Sequence, residues 1–336
     1  MIIKQQIKIM KNLLNLFLIP LLFAYANCIE AQDNNSIQSE IEHYQKAVDS
    51  NPNDAEAHCN MGVAYSKLEN YTEAISCYQK AIDINPNYAE AYCNMGGAYS
   101  NLENYTKALS CLQKAIDINP NFAEAHYNMG FAYGKMENYT KAVSCFQKAI
   151  DINPNFAEAH SNMGLAYYKL ENYTKALSCL QKAVDINPNL AEVHCNMGLV
   201  YDNSGNYTKA VSYYQKAIDI NPNYAEPYCN MGNVYFKLGN YTKAISYLQK
   251  AIDINPKLAE PYCNMGIVYN NLEDDTKAVS YLQKAIDINP NYAEAYCNMG
   301  GAYSNLENYT KALSCLQKAI DINPNYAEAY CNMGVA

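Results

Sequence analysis

Apolar residues between positions 89 and 122 fall into two short runs with helical spacing. Tyr92, Met95, Tyr99 and Leu102 are separated by three, four and three residues, which puts them on one helix face. Leu109, Leu112 and Ile116 line one face of a second helix, and Ala108 and Ala115 keep that helix slim where another would cross it. Glu103-Asn104 interrupts the two runs, and Asn104 is expected to cap the second helix. That helix must end near Asn119, because a residue preceding proline is pushed out of the helical region. Asn87, three residues before Glu90, is expected to open the first helix as a capping box. The segment is therefore a helical hairpin with an apolar face left over for a neighbour.

The same hairpin is copied along the chain. Prolines recur every 34 residues from Pro52 to Pro324, and glycines from Gly62 to Gly334 follow each by ten. Gln79 to Asn121 recurs letter for letter at Gln283 to Asn325, as recent duplication would leave it. Eight complete units occupy 55–326, preceded by a lone second helix at 37–54 and followed by a truncated ninth unit at 327–336. The last residues fall inside a first helix, after Tyr330, Met333 and Val335, so a structural component of the cell envelope that self-associates through an uncapped end is the expected alternative. One boundary is expected to be weak: Lys257 stands where other copies have Asn, Pro261 enters the first turn, and Asp274-Asp275 replaces Asn-Tyr.

The residues ahead of the units follow another rule. Lys4, Lys8 and Lys11 precede the apolar run Leu13 to Phe23, and Ala24-Tyr25-Ala26 follows as a small-x-small site. That order predicts a secretory signal peptide over 1–26, a short linker over 27–36 and an exported protein. Asn15 and Pro20 interrupt the run, which is too short for a transmembrane helix. A lipid anchor on Cys28 is disfavoured, since Tyr25-Ala26-Asn27 does not supply the small residues it needs.

Composition narrows the function classes. Of the 336 residues, 50% are apolar, and 24 basic residues face 33 acidic ones for a net charge of −9. Every one of the 24 is lysine. An acidic chain without arginine is poorly made for phosphate neutralisation or bidentate base readout, so nucleic acid is not an expected partner. Export and 13 cysteines raise the question of disulfides or metal. Twelve of the 13 share two positions of the unit, the fifth (Cys59, Cys93 and five others) and the twenty-third (Cys77, Cys111 and three others). Equivalent positions of stacked helices lie about 8–10 Å apart, beyond disulfide reach. Tyr127, Ser161 and Tyr213 substitute at these positions, so packing is their expected role. His58, His126, His160 and His194 take the fourth position, shared with Tyr92 and Tyr228, which reads as a packing site. No arrangement of nucleophile, base, metal ligands or phosphate loop stands out. The expectation is no catalytic residue, no metal, no cofactor and no small-molecule substrate. Seven Asn-Tyr-Thr triplets, such as Asn104-Tyr105-Thr106, are formal glycosylation sequons that capping and packing account for without sugar.

The unit resembles the tetratricopeptide repeat. The family's conserved pattern falls on Tyr92, Met95-Gly96, Tyr99, Ala108, Leu112, Ala115 and Pro120, with Tyr in place of the preferred Trp at the fourth position. The resemblance, closest in style to the arrays of O-GlcNAc transferase type without their catalytic region, covers nearly everything past the leader. It implies an all-α fold, a right-handed α-solenoid of stacked 34-residue helix-turn-helix units with first helices lining a concave groove. It further implies a non-enzymatic scaffold or adaptor that binds an extended polypeptide there.

Within that implied groove, the sixth position is asparagine in every copy: Asn60, Asn94, Asn128, Asn162, Asn196, Asn230, Asn264, Asn298 and Asn332. A primary amide matches one peptide group of an extended chain. Two readings stand side by side, a peptide-holding ladder and an amide bonding locally near its helix. The ninth position varies (Val63, Gly97, Phe131, Leu165, Leu199, Asn233, Ile267), as a specificity-setting position would. Family members that grip a C-terminal carboxylate carry Lys or Arg at positions two, five and six. Here these are Glu, mostly Cys, and Asn, so that mode is disfavoured.

Overall fold

The computed structural model describes residues 19–334, and most of the leader expected at 1–26 lies outside them. The described residues form 18 α-helices and no strand. One helix, Ile19–Ser50, contains the expected lone second helix. It also runs through 27–36, read from the sequence as a linker, because no proline or glycine lies between Leu21 and Asn51 to stop it. Eight hairpins follow, from Ala55–Lys67 with Tyr71–Ile84 to Ala293–Asn305 with Tyr309–Ile322, and then Ala327–Met333. Each first helix has 13 residues and each second helix 14. No helix among the described residues is long and apolar enough to cross a membrane.

Each hairpin is built the same way. The first helix Ala89–Asn101 ends in a Schellman turn, with Glu103 N–H on Ser100 O at 3.0 Å and Asn104 N–H on Tyr99 O at 2.9 Å. Glu103 takes the left-handed conformation (φ 58°) that such a turn requires. Asn104 then caps the second helix, its Oδ1 accepting from Lys107 N–H at 3.3 Å. Asn104 thus caps the second helix as expected, and its own N–H also closes the first. Leu102, expected on the apolar face, lies past the last helical residue and is exposed.

The entry to the first helix departs from expectation. Its N-cap is Tyr88, with no side-chain cap bond, so Asn87 forms no capping box. The asparagine before the proline does the work instead: Asn85 Oδ1 accepts from Asn87 N–H at 3.1 Å. Lys257 therefore loses nothing, because Asn255 Oδ1 accepts its N–H at the same 3.1 Å. Asp274 caps its helix through Lys277 N–H at 3.2 Å and adds an ion pair to Lys277 Nζ at 2.6 Å. The boundary expected to be weak thus keeps its caps, while Pro261 brings no N–H to its first turn and the aromatic at 275 is missing.

Packing follows from small residues at crossings. Ala108 and Ala115 are wholly buried, and Gly96 faces Leu112 so closely that an added Cβ would sit 2.6 Å from its Cγ. The chain divides into two compact units, residues 1–159 and 160–336. Within the first, Ala89–Asn101 packs against both Ala55–Lys67 and Ala123–Lys135. Within the second, Ala225–Lys237, Ala259–Asn271 and Ala293–Asn305 pack in succession. In each unit neighbouring first helices therefore lie side by side and present one continuous helical face.

Candidate functional site

The first-helix face carries the sixth-position asparagines, and their surroundings are set by the fifth-position cysteines of the preceding repeat. Asn94 Nδ2 donates to Cys59 Sγ at 3.9 Å and Asn128 Nδ2 to Cys93 Sγ at 3.4 Å. In the second unit Asn230 reaches Cys195 (3.7 Å), Asn264 reaches Cys229 (3.5 Å) and Asn332 reaches Cys297 (3.5 Å). These asparagines are half-buried, at the foot of the face. A primary amide has two donors and two acceptor lone pairs. The thiol occupies one donor and fixes the amide plane. For Asn94, Asn128 and Asn230 the remaining N–H and the oxygen have no protein partner.

Four of the nine asparagines stand outside this cysteine-paired series. Asn196 follows Ser161 instead of a cysteine, and its Nδ2 is buried without a partner, the residue being 6% exposed. Asn298 turns its Nδ2 to its own Glu294 O at 2.9 Å, while its backbone oxygen accepts from Asn270 Nδ2 at 3.3 Å. Asn60, on the same face of its first helix, is also half-buried. Asn162 takes the same place on Ala157–Lys169. The ninth-position residues Val63, Leu165, Leu199, Asn233 and Ile267 are half-buried, whereas Phe131 is exposed.

The twelve cysteines from Cys59 to Cys331 are free thiols. Burial pushes the Cys93 thiol up to about 12, with Glu124 and Glu90 adding to the rise against the opposing bond from Asn128. Burial likewise pushes Cys195 up to about 12, helped by Glu226. A thiol held this high is neutral at ordinary pH and serves as a weak acceptor, not a nucleophile. In the native protein at pH 8, iodoacetamide should therefore modify exposed Cys331 and leave the other eleven untouched, as read by peptide mass spectrometry. Labelling of Cys93 or Cys195 before unfolding would contradict this assignment.

Glutamates at the second position edge the same face. Glu260 and Glu294 have pKa values raised first by desolvation and then by like charge, from Glu226 on the one and Glu260 on the other. The face is thus acidic at its edge and amide-lined at its foot. The fourth-position histidines are structural: His126 and His194 Nε2 each donate to the carbonyl of the preceding proline at 3.0 Å, and Tyr228 OH does the same at 3.2 Å. Among the described residues no group of three His, Cys, Asp or Glu side chains could hold a metal ion.

Sequence reasoning missed the amide–thiol pairs, whose signal is a fixed offset of 35 between cysteine and asparagine. It placed Gly97 at the variable ninth position without seeing the open space there. An added Cβ there meets nothing within 4 Å, and the gap opens a cavity with Ser100 and Phe131 in its wall.

Comparison with known proteins agrees with this architecture. The tetratricopeptide repeat family model matches residues 55–88, 123–156, 225–258, 259–292 and 293–326. A second model, described as TPR repeat, matches 101–137, 164–205 and 203–239, and a further tetratricopeptide model matches 77–110 and 145–178. No curated protein matches the chain. Among solved structures, the APC/C hetero-tetramer Cut9–Hcn1 is similar with a TM-score of 0.63 at 18% identity, over 88% of this chain and 58% of that one. The chain thus spans less than two thirds of that relative's length. PilF of Pseudomonas aeruginosa is similar with a TM-score of 0.53 at 23% identity, over 62% of this chain and 94% of that one. YrrB, described as a TPR protein with an unusual peptide-binding site, is 30% identical over 55% of this chain and 95% of its own, with a TM-score of 0.44.

Proposed function

The chain belongs to the tetratricopeptide repeat family, a protein-interaction scaffold, and on that premise we propose that it binds an extended polypeptide along its first-helix face. The observation that carries the reading is the amide ladder. Asn94, Asn128 and Asn230 are each held by one N–H on a neutral thiol, which leaves one donor and one acceptor per repeat for a peptide group. Because the side chain is already fixed, less rotamer entropy is lost when a ligand arrives. Half-buried apolar side chains at the ninth position would choose among sequences. The lysine-then-apolar order of the first 26 residues supports an exported adaptor. The test uses twelve-residue peptides selected from a random library on the full chain. Their binding should depend on Asn196, Asn230 and Asn264 together and survive changes on the outer surface of the second helices.

A further inference from the structure

The cavity at Gly97 names one side chain that the groove would take. Among the ninth positions, glycine stands at Gly97 and Gly301, and both leave open space where other repeats place a side chain. At Gly97 the space is walled by the first helices Ala89–Asn101 and Ala123–Lys135 and measures about 190 Å³. A cavity of about 150 Å³ is enough for a benzene ring, so the notch has room for one ring with a substituent. Its apolar wall is Phe131, exposed at its rim, and Tyr127, whose ring packs 4.9 Å from that of Phe156.

Its floor is polar and unsatisfied. Ser100 lines the notch at 8% exposure, and its Oγ is buried without a hydrogen-bond partner. The preceding repeat shows one partner that such a hydroxyl can meet. Ser66, at the equivalent position, has its Oγ 3.1 Å from the phenol of Tyr78. In the repeat of Ser100 the place of Tyr78 is taken by Leu112, and the phenol is gone. A buried polar atom left without a partner costs free energy that an incoming partner recovers. Charges of both signs stand near the notch, so neither a cationic nor an anionic occupant is singled out. Lys135 Nζ stands 5.3 Å from the Phe131 centroid, and Glu90 and Glu124 act on Cys93, the thiol partner of Asn128 in the same wall.

We propose that this notch is a tyrosine pocket: the ring of a ligand tyrosine packs on Phe131 and its phenol exchanges a hydrogen bond with Ser100 Oγ. The ligand class is therefore an extended peptide with a tyrosine where its backbone passes Asn94 and Asn128, and the proposal rests on the groove reading above.

The probes are N-acetyltyrosinamide and N-acetylphenylalaninamide, titrated into the full chain and followed by the amide resonances of Gly97, Ser100 and Phe131. The tyrosine amide should bind in the millimolar range and several-fold more tightly than the phenylalanine amide. Ser100→Ala should bring the two to parity. Gly97→Val, which restores the side chain found at Val63 and whose Cβ meets nothing within 4 Å, should abolish the shifts without loss of helicity. Equal affinity of the native chain for both amides would overturn the proposal, as would no shift with either, or binding that survives Gly97→Val. The same shifts on concentrating the protein alone would place a second copy in the notch and overturn it too. The selected peptides separate this failure from that of the groove. Peptides that need the asparagines but ignore Gly97→Val leave the groove reading intact, whereas peptides indifferent to the asparagines remove it.

Discussion

Gly198→Ala is expected to destabilise its repeat by about 1 kcal/mol, although alanine is the better helix former. The eighth position is where the two helices of a hairpin approach most closely. A Cβ built on Gly198 would stand 2.5 Å from Cε1 and 2.6 Å from Cδ1 of Tyr214. Neither side can yield cheaply. Tyr214 is wholly buried, and its hydroxyl already lies without a partner, so moving the ring or the helix disturbs packing on every side. Overpacking of this kind costs about 1–3 kcal/mol, from which about 1 kcal/mol of helix propensity is recovered. The control is Gly97→Ala, whose Cβ meets open space and which should stabilise by about 1 kcal/mol. Stability in a repeat array is local, so amide exchange in Ala191–Asn203 and Tyr207–Ile220 is the proper readout. Faster exchange there for Gly198→Ala and slower exchange in Ala89–Asn101 for Gly97→Ala are expected. A shift of the same sign in both would show that close approach is not what these glycines provide.

The second large effect concerns binding. Replacing Asn196, Asn230 and Asn264 together with alanine should weaken a selected peptide by about two orders of magnitude, taking about 1 kcal/mol for each hydrogen bond lost. The fold should survive, because none of the three supports a helix end. Asn230 and Asn264 give up weak N–H···S contacts at 3.7 and 3.5 Å. Asn196→Ala removes a buried amide nitrogen that has no partner, a change that by itself should stabilise. Isothermal titration reads the affinity and far-UV circular dichroism reads the helicity. Unchanged affinity with native helicity would remove the asparagines from the binding account.

Much of the fold was legible in the sequence because the decisive letters act locally. The 34-residue proline period fixes the register, and Asn104 both ends one helix and starts the next within four residues of chain. The exchange of His126 or His194 for Tyr228 is also intelligible, since each delivers a donor to the same proline carbonyl. Misreadings arose where geometry chooses between neighbours. Asn85 and Asn87 flank one proline, and only the turn's backbone decides that Asn85 accepts the hydrogen bond. Leu102 keeps the helical spacing but falls after the last helical residue, Asn101, one residue before the chain turns left-handed at Glu103. The site was less legible, because its contacts join repeats. Cys93 looked like a replaceable neighbour of Asn94, yet its partner is Asn128, one repeat and one residue further on. The orphaned hydroxyl of Ser100 is likewise invisible until Leu112 is set against Tyr78, whose phenol serves Ser66 in the preceding repeat.

The central claim is that the first-helix face is the binding surface. Hydrogen–deuterium exchange of the full chain, with and without a saturating selected peptide, tests it most directly. Protection is expected along first helices such as Ala225–Lys237 and Ala259–Asn271, with the second helices Tyr241–Ile254 and Asp275–Ile288 unchanged. Protection confined to the second helices would contradict the account.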